Sequence, residues 1–137
     1  MILVDAGPLV ALFDRSDAAH LRCIETLRAI DEPMATTVAV LTEAFHLLGP
    51  SSAGALNLMD FISEGGLKVL LLDDDALQRC FELMVQYADA PMDFADASLV
   101  AMAEARSTRR VFSIDRGDFA TYRIKRGHRY LAFEILG

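Results

Sequence analysis

The chain has 137 residues, 53% of them hydrophobic, and a formal net charge of −7. This length fits one domain over residues 1–137 with a single buried core, and the hydrophobic content excludes an intrinsically disordered chain. No apolar run is long enough to cross a bilayer, and no charged leader precedes the first strand-like run. We therefore expect no membrane partner and a cytoplasmic location. Cys23 and Cys80 lie among apolar neighbours and are expected to be reduced core residues.

The charge is unevenly distributed along the chain. Residues 1–105 carry 5 basic and 17 acidic side chains, whereas residues 106–137 carry 8 basic and 3 acidic ones. A basic region beside acidic residues suits a phosphate-backbone ligand. A solvated surface face, or a docking patch for an acidic protein, explains the same charges, and charge alone favours this plainer interpretation.

Strand-like and helix-like segments alternate from the first residue onward. Strands are predicted at 2–4, 34–36, 67–72 and 110–114, with an edge strand at 130–135. Helices are predicted at 18–30, 38–48, 53–63, 73–87 and 93–106, with a first helical turn at 9–13 and a turn or short helix at 115–122. This alternation predicts an α/β fold with a mostly parallel sheet of four to five strands.

Four acidic residues occupy separate elements of this predicted fold. Asp5 and Asp115 directly follow apolar runs, Glu43 lies inside a predicted helix, and Asp96 lies near the start of another. In open parallel sheets, ligands bind beyond the carboxyl ends of the strands, where Asp5 and Asp115 should lie. Acids in such places are costly without a cation, and no Lys or Arg adjoins the first three. A bound divalent cation would supply the positive charge.

Each acid also has a purely structural interpretation. Asp5 could cap a short helix, and Glu43 could pair with a distant Arg. The negative charge of Asp96 could simply stabilise the N-terminus of its helix. Four such roles at once are the less favourable explanation. The triplet Asp73-Asp74-Asp75 is best explained as helix capping, and His46, three residues after Glu43, as a packed or solvent-facing residue.

The sequence lacks the motifs of other proteins that bind or cleave phosphates. No Gly-rich phosphate loop, no GxGxxG and no nucleophilic Ser elbow follows a predicted strand, and His20, His46 and His128 have no zinc spacing. A phosphohydrolase of the haloacid dehalogenase type would place a second Asp two residues after the strand Asp. Gly7 stands there instead, which counts against that third alternative.

Four segments in this order resemble the PIN-domain ribonucleases, specifically the VapC-type toxins of bacterial type II toxin–antitoxin systems. They are Ile2-Leu3-Val4-Asp5, residues 37–43, residues 91–97 and residues 111–119. The resemblance covers essentially the whole chain. It implies a three-layer α/β/α PIN-like fold and metal-dependent hydrolysis of RNA phosphodiester bonds.

The resemblance assigns a role to each matching position. Asp5, Glu43, Asp96 and Asp115 match the family's four catalytic, metal-binding acids. Supporting positions are Ser113, two residues before the fourth acid, Thr37, six before the Glu, and the accessory acids Asp93 and Asp118. Capping and a site role are equally good explanations of Asp93, and a structural role is the better one for Asp118. The chain departs from the family at Ala6-Gly7-Pro8, where many members place Thr or Ser after the first Asp.

The expected chemistry follows from the donor atoms. Carboxylate oxygens suit Mg²⁺, with Mn²⁺ able to substitute, and Ser113 and Thr37 would orient carboxylates or waters. The basic residues expected to contact RNA are Arg116, Arg123, Lys125 and Arg126. The family resemblance further implies an RNA substrate such as tRNA or rRNA, a cognate antitoxin whose tail offers Arg or Lys to the acids, and a homodimer. The alternative from another class is a catalytically silent PIN-like module that binds RNA or protein, but none of the four acids is lost here.

Overall fold

A five-stranded parallel sheet forms the centre of the computed structural model, which describes residues 1–137. The strands are β1 Ile2–Val4, β2 Met34–Thr37, β3 Lys68–Leu70, β4 Arg110–Phe112, β5 Arg123–Arg126, β6 Arg129–Ala132 and β7 Glu134–Leu136. The helices are α1 Ala6–Phe13, α2 His20–Ala29, α3 Val38–Leu48, α4 Ala53–Ser63, α5 Asp74–Gln86, α6 Phe94–Ala105 and α7 Arg116–Thr121. The predicted α/β/α architecture is confirmed, and every pairing within the central sheet is parallel.

The order of strands is β3-β2-β1-β4-β7, with β1 in the middle. Leu3 pairs with Ala35 of β2 on one side and Val111 of β4 on the other. All three residues of β1 are buried, as expected for a short apolar strand covered on both faces. From β1 the chain first adds β2 and β3 on one side, and it later adds β4 and β7 on the other side of β1. The carboxyl ends of β1 and β4 therefore flank the point where the strand order reverses.

Helix α6 is the most deeply enclosed helix. Eight of its twelve residues are buried, because its Ala-rich sequence is apolar on most sides. Five of these eight buried residues are Ala or Ser, so neighbouring elements can approach the helix closely. The helix thereby carries Asp96 into the interior while its N-terminus stays near the sheet edge.

Most predicted elements are confirmed with shifted ends. Strands β3 and β4 are shorter than the predicted 67–72 and 110–114, and α1 begins at Ala6 rather than residue 9 because Asp5 caps it. The predicted bounds of α3, 38–48, are confirmed, and Gly49 with φ +93° follows its last residue. Both cysteines are buried free thiols, as predicted. None of the helices combines the length and apolarity needed to span a bilayer.

The C-terminal region differs most from prediction. The single edge strand predicted at 130–135 is divided at the buried Phe133 into β6 and β7, and only β7 joins the central sheet. β6 pairs instead with β5, an antiparallel partner that the sequence did not predict. Arg123–Arg126 contains one apolar residue, Ile124, and therefore lacks the alternation that marks a half-buried strand.

Candidate active site

Acidic side chains from four parts of the chain meet beyond the carboxyl ends of β1 and β4. The register pairs Val4 with Phe112, so the residues that follow them, Asp5 and Ser113, lie opposite each other. Asp5 Oδ2 accepts a hydrogen bond of 2.9 Å from the Ser113 hydroxyl, and Asp5 Oδ1 accepts one of 2.8 Å from the Ala6 N–H. One oxygen thus caps α1 and the other is fixed by β4, so the carboxylate is held in a single orientation.

Asp5 is the only site acid that is fully buried, with 9% of its surface exposed. Burial raises its pKa, and the charges of Asp93 and Asp115 raise it further, while the bonds from Ala6 and Ser113 lower it. Two hydrogen-bond donors offset only part of the free-energy cost of burying a charged carboxylate without a cation. The structure therefore favours a positive charge beside Asp5.

Gly7 allows the two strand ends to come together. A Cβ atom on Gly7 would lie 2.8 Å from Cγ1 of Ile114, closer than nonbonded carbon atoms approach. Helix α1 can therefore pack directly on the residue between Ser113 and Asp115. This close approach gives a physical reason for Gly at this position.

Helix α6 contributes Asp93 and Asp96. Asp93 caps the helix, because its Oδ1 accepts a hydrogen bond of 2.8 Å from the Asp96 N–H. The cap therefore lies on the first turn of α6, which also carries Asp96. Asp96 Oδ2 accepts a 2.8 Å hydrogen bond from the Tyr122 hydroxyl. Burial raises the Asp96 pKa to about 7, assisted by the charges of Asp5, Asp93 and Asp118 and opposed by the bond from Tyr122.

Tyr122 is a site component that the sequence did not predict. Its side chain is fully buried, and its ring makes edge contacts with Tyr87 and Phe119 at centroid distances of 5.2 and 5.4 Å. Burial and the adjacent Asp96 raise its pKa, so the hydroxyl remains a donor. The sequence does contain an indication of this role, because a Tyr in a buried segment needs a hydrogen-bond partner for its hydroxyl. The identity of that partner depends on how the segment packs on α6.

Asp115 and Asp118 come from α7. Asp115 caps this short helix, with Oδ1 accepting from the Asp118 N–H at 3.3 Å, and its own N–H donates to Ser113 Oγ at 3.1 Å. Asp118 is half-buried, and its pKa is raised to about 6 by burial, by its hydrogen-bonding contact with Asp115 and by neighbouring negative charges. Both members of this pair line the cavity described below.

Glu43 reaches the cavity from α3, although it is an exposed residue. Partial burial of its carboxyl group and the charges of Asp93 and Asp5 raise its pKa. Thr37 lies apart from the carboxylates. It caps α3 through the Val40 N–H, and its hydroxyl lies 2.6 Å from the Ser98 hydroxyl of α6. Its contacts thus join the helix that carries Glu43 to the helix that carries Asp96.

Six carboxylates line one cavity of about 220 Å³ at this sheet edge. They belong to Asp5, Glu43, Asp93, Asp96, Asp115 and Asp118. Every salt bridge of the protein involves other acids, namely Glu32, Glu82, Glu104 and Glu134. The cavity therefore concentrates negative charge that no side chain neutralises, which is the electrostatic requirement of a cation site.

The donor set fits a hard divalent cation in its chemistry. All donors are carboxylate oxygens, the ligands that Mg²⁺ and Mn²⁺ prefer. No group of three or more His, Cys, Asp or Glu side chains is arranged closely enough to hold a metal ion as it stands. Binding would therefore require acidic side chains that line the cavity to move closer together.

The basic residues predicted to contact RNA have different environments. The Arg116 guanidinium donates to the Gly137 carbonyl at 2.8 Å, and the Arg123 guanidinium donates to the carbonyls of Ala120, Thr121 and Tyr122. Arg126 is half-buried, with Nη2 enclosed and unpartnered. Lys125 is exposed and its ammonium group makes no bond to the protein.

Replacing Ser113 by Ala is expected to weaken cation binding about 10- to 100-fold, the usual cost of removing a residue that orients a ligand. Asp5 would lose the donor to Oδ2, and the Asp115 N–H would lose its acceptor. Titration with Mn²⁺ measures the effect. Thr36→Val is the matched control, since Thr36 is an equally buried residue whose hydroxyl donates to the Val4 carbonyl and contacts no site acid. Equal losses in both variants would contradict this role for Ser113.

Tyr122→Phe is expected to lower cation affinity by a similar factor of roughly 10 to 100 while changing the unfolding free energy by less than about 2 kcal/mol. The variant keeps the buried ring and removes only the donor to Asp96. Tyr87→Phe is the control, because the Tyr87 hydroxyl accepts from the Arg123 N–H and touches no acid of the cavity. Manganese titration and thermal melting of both variants separate positioning from packing. Unchanged Mn²⁺ affinity in Tyr122→Phe would refute the prediction.

Sequence comparison identifies relatives of this chain. Residues 2–125 match the PIN domain family. The protein Ribonuclease VapC26 of Mycobacterium tuberculosis is 21% identical over 131 residues, a stretch that covers 94% of this chain and 97% of that protein. The predicted likeness to VapC-type proteins is therefore confirmed.

Solved structures share the fold at low sequence identity. The crystal structure of Mycobacterium tuberculosis VapC20, a sarcin–ricin loop cleaving toxin, matches with a TM-score of 0.78 and 19% identity over 86% of this chain and 92% of that one. A toxin–antitoxin complex from Klebsiella pneumoniae matches with a TM-score of 0.69 and 17% identity, covering 88% and 92%. VapBC2 from Rickettsia felis, bound to a promoter DNA fragment, matches with a TM-score of 0.64 and 14% identity, covering 98% of each chain. By its sequence match and its fold, the chain belongs to the PIN-domain family.

Proposed function

We propose that this chain, as one domain, is a metal-dependent endoribonuclease that hydrolyses RNA phosphodiester bonds and acts as the toxin of a toxin–antitoxin pair in the cytoplasm. The observation that carries the proposal is the set of six carboxylates around one cavity with no cationic side chain among them. The names of the relatives, Ribonuclease VapC26 among them, support the same activity. All four predicted catalytic acids are present, which disfavours a silent binding module.

Asp5, Glu43 and Asp96 would hold Mg²⁺, or Mn²⁺ in its place, and Asp115 would complete the site. When bound, such an ion supplies positive charge to the phosphate and acidifies a water molecule. Asp5 is held ready by Ser113 and the Ala6 N–H, and Asp96 by Tyr122. Asp93 and Asp115 cap α6 and α7 and so fix the helix turns that present Asp96 and Asp118.

The test is cleavage of RNA by the purified protein. Because VapC20 is a sarcin–ricin loop cleaving toxin, ribosomal RNA containing that loop is the first substrate to try, followed by tRNA. Sequencing the 5′ ends of the products locates the cut. Cleavage should require Mg²⁺ or Mn²⁺, stop with EDTA and be lost in Asp5→Asn. Cleavage that persists in EDTA, or in Asp5→Asn, would contradict the proposal.

The cognate antitoxin would bind beside the acids. An apolar groove of about 850 Å³ adjoins the cavity and shares Glu43 and Asp93 with it. Its walls include the exposed Val38 and Leu71 and the half-buried Phe94. An antitoxin tail with apolar residues followed by Arg or Lys complements this arrangement in shape and charge. The Klebsiella pneumoniae relative is a toxin–antitoxin complex, which supports a partner of this kind.

A homodimer is a further proposal from the resemblance. Light scattering on the purified chain, alone and with its antitoxin, determines the number of copies. A strictly monomeric protein at all accessible concentrations would refute it.

A further inference from the structure

The antiparallel hairpin of β5 and β6 has a distinct outer face. Its register places Lys125 opposite Tyr130 and Ile124 opposite Leu131. Side chains alternate between the faces of a strand, so Lys125 and Tyr130 share one face and Ile124 and Leu131 the other. Ile124 is fully buried against the core, so the face with Lys125 and Tyr130 points outward. Tyr130 is 58% exposed, so its ring is not part of the hydrophobic core.

The hairpin is also the most cationic segment of an acidic protein. Residues 123–132 carry four basic side chains and no acidic one, whereas the whole chain has a net charge of −7. The Arg123 guanidinium is occupied by backbone carbonyls. Lys125 and Arg129 are exposed, and no hydrogen bond or salt bridge of the protein involves their charged groups. Both charges are free for an external anion. Lys125 lies on the outer face, whereas Arg129 pairs with Arg126 and so belongs to the face of Ile124.

The hairpin leads away from the acidic cavity along α6. Immediately before β5, Tyr122 bonds to Asp96 near the start of the helix, and the Lys125 N–H bonds to Glu104 near its end. Eight residues of α-helix separate Asp96 from Glu104, a distance of about 12 Å. A polymer whose backbone crosses the cavity can therefore reach Lys125 and Tyr130 within a few residues of its own length.

We propose that the outer face of the β5–β6 hairpin, formed by Lys125 and Tyr130, binds a single-stranded stretch of RNA a few nucleotides from the bond that is cut. A base stacks on the ring of Tyr130, and Lys125 contacts a flanking phosphate. An exposed aromatic ring directly across from a free lysine is the combination that sequence-tolerant single-strand binding uses. The inference rests on the proposed nuclease function, since it assigns part of the substrate of the same site.

Binding can be measured without cleavage. A fluorescently labelled, mixed-sequence single-stranded RNA of about twelve nucleotides, a length typical of one binding module, is titrated with protein in the Asp96→Asn background and followed by anisotropy. We expect Tyr130→Ala to weaken binding roughly 5- to 100-fold, the range that base–aromatic stacking supplies, and Tyr130→Phe to retain it. Lys125→Gln should weaken binding and lower the salt dependence by about 0.7, the contribution of one phosphate contact on a single strand.

The controls use equivalent exposed residues elsewhere. Lys68→Gln removes an exposed lysine from β3 at the far edge of the sheet, and Val85→Ala removes an exposed apolar side chain from α5. Neither should change RNA affinity, and melting curves confirm that all variants fold. Unchanged affinity in Tyr130→Ala and Lys125→Gln, or equal losses in the controls, would overturn the proposal. Tighter binding of a labelled polyglutamate peptide, lost in the same variants, would overturn it too and assign the face to an acidic protein.

These outcomes are independent of the nuclease activity. If the unmodified protein fails to cut RNA but the hairpin variants lose RNA affinity, the proposed function is wrong and the binding face stands. If the protein cuts RNA and the hairpin variants bind RNA normally, the proposed binding face is wrong and the proposed function stands.

Discussion

Replacing Asp96 by Asn is expected to lower RNA cleavage by roughly a thousandfold, since a metal ion contributes several kcal/mol to charge stabilisation in such a reaction. The same change should make the cation-free protein more stable. The Asp96 pKa is raised to about 7 by burial and by Asp5, Asp93 and Asp118, so its charged form is disfavoured in the fold. Asn is neutral, has nearly the same volume and keeps an oxygen for the Tyr122 hydroxyl. Allowing for solvent screening, we expect a gain of about 1–2 kcal/mol at pH above 7.

Cleavage assays and thermal melting in EDTA check both halves of this prediction. Glu104→Gln is the matched control on the same helix, because Glu104 is paired with Arg79 at 2.7 and 3.1 Å. Its loss should destabilise the protein and leave cleavage within a few fold. An Asp96→Asn variant that cuts RNA, or that melts below the unmodified protein in EDTA, would show that Asp96 is an ordinary structural acid.

The stability of the cation-free protein should fall as the pH rises from about 5 to 8, by roughly 2 kcal/mol after allowance for solvent exposure. The pKa of Asp96 is about 7 and that of Asp118 about 6 in the folded protein, against an ordinary value of 3.8. Between these values the folded state binds more protons than the unfolded state. The stabilising contribution is therefore complete below 3.8 and is lost as the pH passes through 6 and 7.

A divalent cation should reverse this dependence. It competes with protons for the same carboxylates, so it stabilises the fold most where they are ionised. At a hundredfold excess over its dissociation constant it adds about 2.7 kcal/mol. Urea unfolding across this pH range, with Mn²⁺ and with EDTA, measures both effects. Stability that rises with pH in EDTA would mean that the acids are not crowded in solution as they are in the structure.

Much of the site follows from the order of strands along the chain. Acids that directly follow two neighbouring parallel strands must lie at the same edge of the sheet, and this argument predicts Asp5 and Asp115 there. In the structure β4 ends at Phe112, two residues earlier than predicted, so Ser113 is the residue that contacts Asp5. Asp93 and Asp96 share a helix turn, so their proximity also follows from the sequence. These relations are local or fixed by one strand pairing, and for that reason they can be predicted.

Relations that depend on side-chain packing could not be predicted in this way. Tyr122 lies 26 residues from Asp96, and their contact arises because β5 packs along α6. The Thr37–Ser98 bond joins residues 61 apart and depends on how closely α3 approaches α6. The β5–β6 hairpin was missed because its first strand has a single buried apolar residue, and its pairing is stabilised by one face alone.

The central claim is that carboxylates from distant parts of the chain share one cation. Calorimetric titration of the purified protein with Mn²⁺, repeated for Asp5→Asn, Glu43→Gln and Asp96→Asn, tests it most directly. Each of the three changes is predicted to weaken the same binding event, because the three acids line one cavity and come from β1, α3 and α6. Manganese binding of equal strength in the unmodified protein and in all three variants would contradict the claim.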